Sequence, residues 1–299
     1  MNSFDIYKEI SKRTDGDIYI GVVGPVRTGK STFIKNFMEK LVIPNIKNDY
    51  VKTRTQDELP QSAEGNTIMT TEPKFVPNEA VKISLDGNID LNVRLIDCVG
   101  YIVDGASGHI VDNQPRMVST PWSEQKMPFA QAADLGTQKV IRDHSTIAVV
   151  ITSDGTVTNI PRESYINSEA RVINELKEIN KPFVIVLNSA EPDSENTLKI
   201  AEQMENKYGS RVIVTDCKNL SQEDINTIFE EVLYQFPLCE IDITLPKWLE
   251  RMPKNHWLKE SIVSSVKEMG QKIKGIRDIN KNISVQELKE NVKKIYSDN

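Results

Sequence analysis

At 299 residues, with 38% hydrophobic, 27% charged and 6% aromatic residues, the chain has the balance of a globular protein with an aliphatic core, sized for one large domain or two ordinary ones. Its longest apolar runs, IAVVI (147–151) and FVIVL (183–187), are too short to span a bilayer, and MNSFDIYKEISKR carries no apolar stretch of a secretory signal, so membrane contact is expected to be peripheral. Cys98, Cys217 and Cys239 show no disulfide or zinc spacing, as expected of a reducing compartment, and the net charge of −6 divides unevenly: residues 247–299 hold 12 Lys/Arg against 7 Asp/Glu, or +5, and the rest carries −11.

In chain order, DIYIGVVG (17–24) reads as a buried strand ending in a turn, and STFIKNFMEKLV (31–42) as a helix with apolar residues at 33, 34, 37, 38, 41 and 42. Residues 48–80 are polar, rich in Thr and Pro, and break the pattern. LNVRLIDCVG (91–100) is a second strand. Residues 101–135 break the pattern again, with Gly, Ser, Pro and an exposed-looking Trp122. Loops of that length in a compact domain are commonly functional or partly disordered. HSTIAVVITSDGT (144–156), KPFVIVLNSAE (181–191) and RVIVTDC (211–217) are further strands. Between and after them come helices over 166–180, 194–209 and 221–237, the last opened by Ser221. This alternation predicts an α/β fold: three layers, with a mainly parallel sheet between helices. After Pro246 the composition turns to Lys-rich helical segments, WLKESIVSSVKEMGQKI and SVQELKENVKKIY, and a domain boundary is placed near 238–246. The basic segment is either a solvated helical face or a contact for anionic lipid or an acidic partner.

The turn after the first strand spells G-x-x-x-x-G-K-S as Gly24, Gly29, Lys30 and Ser31. Between a strand and an amphipathic helix, such a turn lets backbone N–H groups close around phosphate, with the helix N-terminus adding partial positive charge. Lys30 would reach the β- and γ-phosphates and the Ser31 hydroxyl would ligate Mg²⁺. Arg27, Thr28 and Thr32 complete the nucleotide-contacting stretch. Arg27 either sets fixed positive charge against the phosphates, as an arginine finger does, or folds outward to an acidic neighbour. Asp97-x-x-Gly100 ends the next strand: Asp97 can hold Mg²⁺ and Gly100 can offer its N–H to a γ-phosphate. Between them, Thr70 and Thr71 are either ordinary loop residues or ligands of Mg²⁺ that sense the γ-phosphate. Where many relatives place a water-orienting Gln after D-x-x-G, this chain has Tyr101, for which a packing role is expected; His144, ahead of a strand, is expected to be structural.

P-loop, loop threonine and D-x-x-G in this order resemble the translation-factor-related GTPases. Their guanine-reading N-K-x-D appears here as Asn188-Ser189-Ala190-Glu191, with the Lys lost and the Asp replaced by Glu, and S-A-K falls on Thr215-Asp216-Cys217 within VTDCK. The phosphate half of the site is intact and the guanine half, at Asn188 and Glu191, is degraded, which points to ATP or to relaxed specificity. An acidic pI of about 5.4 and the lack of a KH-type G-x-x-G argue against nucleic acid.

The blocks GPVRTGKSTFIKNFM, TTEPKFVPNEAV, RLIDCVGY, MPFAQAADLGTQKVIRDHSTIAVVITSDGT and ESYINSEARVINELKEINKPFVIVLNS closely resemble the stage IV sporulation protein A family, most densely over 1–235. The resemblance implies a P-loop ATPase of GTPase ancestry over 1–237 and, over 238–299, the start of a largely helical middle domain, which the chain truncates because family members extend well past residue 299. It maps the key residues onto Lys30, Thr70, Thr71 and Asp97. It implies Mg-dependent ATP hydrolysis and self-assembly into the basement layer of the spore coat. That layer forms in the mother-cell cytoplasm, on the forespore outer membrane, with a small amphipathic membrane-anchoring peptide and other coat proteins as partners. Two other readings are carried beside it: a regulatory GTPase-like switch of the ribosome-associated type, and a structural protein in which nucleotide is only bound.

Overall fold

The structure, a computed structural model, describes residues 8, 10, 11, 13–60, 72–85, 89–111, 114–236, 249, 251–253 and 255–272. The chain divides into two compact units, 1–232 and 233–299. In the first, a six-stranded sheet is built from β1 (Asp17–Val23), β2 (Lys74–Leu85), β3 (Ile89–Asp97), β8 (Ile147–Ser153), β9 (Phe183–Asn188) and β10 (Val212–Thr215). Its order is β10-β9-β8-β1-β3-β2. Every pairing is parallel except the edge pair β2–β3. The helices are α1 (Lys30–Phe37, continued by a π turn over Met38–Val42), α2 (Asp49–Asp57), α3 (Phe129–Lys139), α4 (Arg162–Glu178), α5 (Glu195–Tyr208) and α6 (Gln222–Gln235, which runs across the division between the units). Two short ribbons, β4 (Ile110–Val111) with β5 (Gln114–Pro115) and β6 (Met117–Thr120) with β7 (Ser123–Pro128), lie between β3 and α3.

The central strands are buried along their whole length, as parallel strands covered on both faces must be. Alternate residues serve opposite layers. On one face Val23, Ala148, Val150, Ile185 and Leu187 pack with Val172, Ile173 and Leu176 of α4 and with Ala201, Met204 and Tyr208 of α5. On the other, α1 packs against β1 and β3, and its Phe37 ring meets Phe229 of α6 at 5.6 Å. The expected mixed α/β architecture with a mainly parallel sheet is therefore present.

Over their described residues, the two stretches set apart as loops are more ordered than expected. The first contains α2, capped by the Asn48 side chain accepting from the Val51 N–H, and the start of β2. Its helix was hidden because DYVKTRTQD has almost no apolar stripe. Its strand was hidden because pairing breaks between Val76 and Val81 around Pro77, a residue an edge strand tolerates. The second stretch contains the ribbons and the start of α3. Trp122 is half-buried, not exposed: a Cβ on Gly136 would lie 3.4 Å from its ring, so the absent side chain of α3 makes room for it.

In the second unit, α7 (Trp257–Lys272) is a 16-residue helix formed by residues 257–272 of the first Lys-rich segment, and Trp257 at its start is 53% exposed. The other segment, SVQELKENVKKIY, lies outside the described residues, as does Cys239. Cys98 and Cys217 are buried free thiols. No described helix is long and apolar enough to cross a membrane.

Candidate functional site

Parallel strands deliver their carboxyl ends to one edge of the sheet, and open α/β sheets bind ligands outside that edge. Here the edge carries Gly24 after β1, Asp97 at the end of β3, Asp154 after β8, Asn188 at the end of β9 and Asp216 after β10.

The turn from β1 to α1 is shaped by close backbone approach. Gly24 has φ 140°, and a Cβ there would lie 2.1 Å from the Ile151 carbonyl; Gly29 has φ 94°, and its Cβ would lie 2.3 Å from the Asn188 amide nitrogen. Neither position admits a side chain. Gly29 then opens α1, whose first turn holds no acidic residue, so its N–H groups and dipole remain unneutralised. The Thr28 side chain is fully buried and donates to the Pro25 carbonyl at 3.0 Å. Lys30 is 5% exposed, with its Nζ 2.5 Å from the same carbonyl. Ser31 and Thr32 are half-buried on the first turn of α1.

Ser31 and Asp97, 66 residues apart in sequence, meet at the tip of the sheet: the Ser31 hydroxyl donates to Asp97 Oδ2 at 2.6 Å. Burial pushes the Asp97 carboxyl above its usual range, against the pull of Ser31, Lys30 and Lys74. Burial likewise holds the Lys30 ammonium below its usual value; Cys98 and Asp97 oppose this and Arg27 adds to it. The Cys98 thiol, pushed up to about 11 by burial, is inert despite its position. A hydroxyl beside one carboxylate, next to a phosphate-sized cradle, is a donor set suited to a hard cation that keeps most of its waters and binds through phosphate, which is how Mg²⁺ is held. Among the described residues no group of three or more His, Cys, Asp or Glu forms a self-sufficient metal site.

Gly100 crosses directly over the turn, and a Cβ on it would lie 2.3 Å from the Gly24 carbonyl and 2.7 Å from Lys30 Nζ. Its N–H donates to the Thr137 hydroxyl of α3 at 3.2 Å. The next residue anchors this segment: Tyr101 is 1% exposed, its carbonyl accepts from the Val26 N–H at 2.9 Å, and its hydroxyl donates to Glu175 of α4 at 2.5 Å. Arg171 covers the Tyr101 ring at 3.8 Å while pairing with Asp134 and Glu175. Tyr101 is thus a packing residue, as expected. His144 is one too, its ring edge-on to Phe75 at 5.6 Å. Arg27 takes φ 62°, is half-buried, and lies within electrostatic reach of the Tyr165 phenol and of Lys30. Thr70 and Thr71 lie outside the described residues.

At the other end of the edge, Asn188 joins three segments: its Nδ2 donates to the Thr28 carbonyl at 2.9 Å and its Oδ1 accepts from the Cys217 N–H at 2.9 Å. Asn36 of α1 donates to the carbonyls of Cys217 and Lys218. Ser189, standing where guanine readers carry Lys, is fully buried and turned inward; Glu191 is exposed. Asp154, which the motif reading passed over, is the hub of this corner. It accepts from the Thr156 N–H and hydroxyl and from the Thr197 hydroxyl at 2.6–2.9 Å. Burial would raise its carboxyl, but these bonds and that of Ser189 outweigh it and hold it below the usual value. The signal that could have found it was positional: it follows the last residue of the buried strand β8, at the same carboxyl edge of the sheet where Asp97 ends β3.

The family model of the stage IV sporulation protein A ATPase domain matches residues 1–237, and that of the middle domain matches residues 238–299. Stage IV sporulation protein A of Clostridioides difficile (strain 630) is 56% identical over 279 residues, which cover 93% of this chain and 57% of that protein. The protein of the same name from Bacillus subtilis (strain 168) is 51% identical over 281 residues, and that from Bacillus anthracis 50%, each match covering 94% of this chain and 57% of the relative. The chain thus spans little more than half the length of these relatives.

Proposed function

Because the chain belongs to the stage IV sporulation protein A family and contains that family's ATPase domain, we propose that residues 24–31 form a P-loop which binds Mg·ATP for hydrolysis, and that the full-length protein uses this to assemble the spore coat's basement layer. The observation that carries the nucleotide site is the meeting of Ser31 and Asp97 at 2.6 Å beside a buried Lys30, at the mouth of a turn that excludes side chains at Gly24 and Gly29.

In this reading the N–H groups of the turn and the start of α1 wrap the β-phosphate. Lys30, now lodged on the Pro25 carbonyl, moves its charge onto the phosphates, where desolvation strengthens the attraction. Ser31 and Asp97 would hold Mg²⁺, which when bound withdraws charge from the β–γ bridge. Gly100 exchanges its bond to Thr137 for one to the γ-phosphate, so the presence of that phosphate is communicated to α3. Arg27 supplies positive charge from the side of Tyr165. The Tyr101 hydroxyl, committed to Glu175, does not orient the attacking water.

At the level of the cell, this reading puts the protein in the mother-cell cytoplasm at the forespore surface, with copies of itself, coat proteins and a membrane-anchoring peptide as partners. The experiment that tests the site is equilibrium titration of wild type and Lys30→Ala with ATP and Mg²⁺. The substitution is expected to weaken binding by at least about 100-fold, the cost of leaving phosphate charge unpaired. Equal affinities would end the P-loop assignment.

A further inference from the structure

The corner of the site remote from Asp97 is unusual in what it withholds. A nucleotide whose phosphates sit at Lys30 and whose metal sits at Ser31 and Asp97 extends its base towards the loops after β9 and β10, because Asn188 ties both loops to Thr28 of the phosphate turn. Five backbone donors of those loops, three after β9 and two after β10, are already spent. The Ser189 N–H donates to the Thr215 carbonyl at 3.1 Å. The Ala190 N–H donates to the Thr156 hydroxyl at 2.8 Å and the Glu191 N–H to the Ser189 hydroxyl at 2.9 Å. The Cys217 N–H donates to Asn188 Oδ1 at 2.9 Å and the Lys218 N–H to Asp216 Oδ1 at 2.8 Å.

An N–H has one hydrogen to give, so a spent donor is lost to a ligand, whereas a carbonyl already accepting one bond keeps a second lone pair. At these five positions the backbone can therefore still accept a hydrogen bond but has none left to donate. Purines differ at position 6 in that sense: adenine carries an amino group, a donor, and guanine an oxo group, an acceptor. Placing an oxo group among filled donors leaves it desolvated and unpaired.

We infer that this chain selects a 6-amino purine by hydrogen-bonding the base-side loops to themselves, with Thr156 and Ser189, both held by the Asp154 hub, as the positioning residues. The inference rests on the ATP reading above and deepens it. Asp154 and Thr197 are both buried, and the Thr197 hydroxyl also meets Ser189 at 3.3 Å and Ser194 at 2.8 Å, so the hydroxyls that cap the Ala190 and Glu191 donors are themselves fixed. The altered motif is thus more than a worn guanine reader: Ser189, in the place of Lys, is the group that silences the Glu191 donor. A side chain too long to turn inward would leave that N–H open.

The test isolates position 6 by comparing ATP with ITP, which has the oxo group without guanine's 2-amino group. Steady-state hydrolysis of both is measured for wild type, Thr156→Val, Ser189→Ala and Thr156→Ser. Thr156→Val uncaps the Ala190 N–H at nearly constant volume, and Ser189→Ala uncaps that of Glu191. Each is expected to raise the ITP/ATP ratio of kcat/KM about tenfold, the worth of one modest hydrogen bond, with the change carried by KM. Thr156→Ser, which keeps the hydroxyl, is expected to retain the wild-type ratio. A ratio unmoved in both uncapped variants, or equal losses for the two nucleotides, would reduce the network to a structural one and overturn the inference. So would a wild type that accepts ITP as readily as ATP. Failure of the underlying reading looks different: a wild type that turns over neither nucleotide removes the P-loop assignment itself.

Discussion

Asp97 shows how a single side chain is held at a disadvantage until its ligand arrives. It is 4% exposed, and among the described residues its carboxylate accepts from the Ser31 hydroxyl, a neutral donor that replaces only part of the lost water. A buried carboxylate of this kind weakens the empty fold. Asp97→Asn keeps an acceptor for Ser31 and removes the charge, so the nucleotide-free protein is expected to gain about 1 kcal/mol, or about 2–4 °C in Tm for a domain of this size. The same variant is expected to lose most of the Tm gain that Mg·ATP gives the wild type, because its amide is a poor substitute for a metal-binding carboxylate. Thermal melts with and without Mg·ATP check both halves. A lower Tm for the empty variant would mean that Asp97 is better paired than its surroundings indicate.

Among the elements, α3 is the one placed to feel the γ-phosphate. Its Thr137 hydroxyl occupies the Gly100 N–H, and its Asp134 belongs, with Arg171 and Glu175 of α4, to the cluster that clamps Tyr101. A triphosphate must therefore displace Thr137, while the rest of the segment is anchored. Thr137→Val removes the competitor without changing side-chain volume. It is expected to tighten binding of a non-hydrolysable ATP analogue by about three- to tenfold, within the range of one net hydrogen bond, and to leave ADP unaffected. Calorimetric titration with the two nucleotides distinguishes this from a general repacking of α3, which would shift both. The neighbouring α4 is held more firmly: Arg162 and the 1%-exposed Glu169 form a two-pronged pair at 2.6 and 3.0 Å, with Tyr208 and Thr152 donating to the same carboxylate.

Across the whole chain the acidic and basic parts separate, +5 over residues 247–299 and −11 over the remainder. At physiological salt charges are screened over about 8 Å, so a modestly basic segment gains little from an anionic surface while the acidic part is repelled. This chain alone is therefore expected not to sediment with phosphatidylglycerol vesicles at 150 mM salt, with or without nucleotide. Salt-sensitive co-sedimentation would instead assign residues 247–299 a lipid-facing role. The test bears on this chain only, whose matches cover 57% of the length of its relatives.

What the sequence determined by itself was local or periodic. Gly24, Gly29, Lys30 and Ser31 are adjacent, the strand before them is apolar and the helix after them amphipathic, so the turn could be read directly. Asp97 and Asn188 could be placed because each ends a strand, and parallel strands share one carboxyl edge. Tertiary structure decided what depends on partners far away along the chain. Whether Tyr101 faces water or Glu175 is set by a bond across 74 residues, and the capping of Gly100 by Thr137 by one across 37. In Asn188-Ser189-Ala190-Glu191 the lost lysine was visible, but the inward turn of Ser189 was not. That turn depends on Thr156, 33 residues earlier, and on Asp154, which is reached through Thr197. Backbone pattern is written in neighbouring residues, whereas the direction of a polar side chain is chosen by whichever donor or acceptor the fold brings within reach of it.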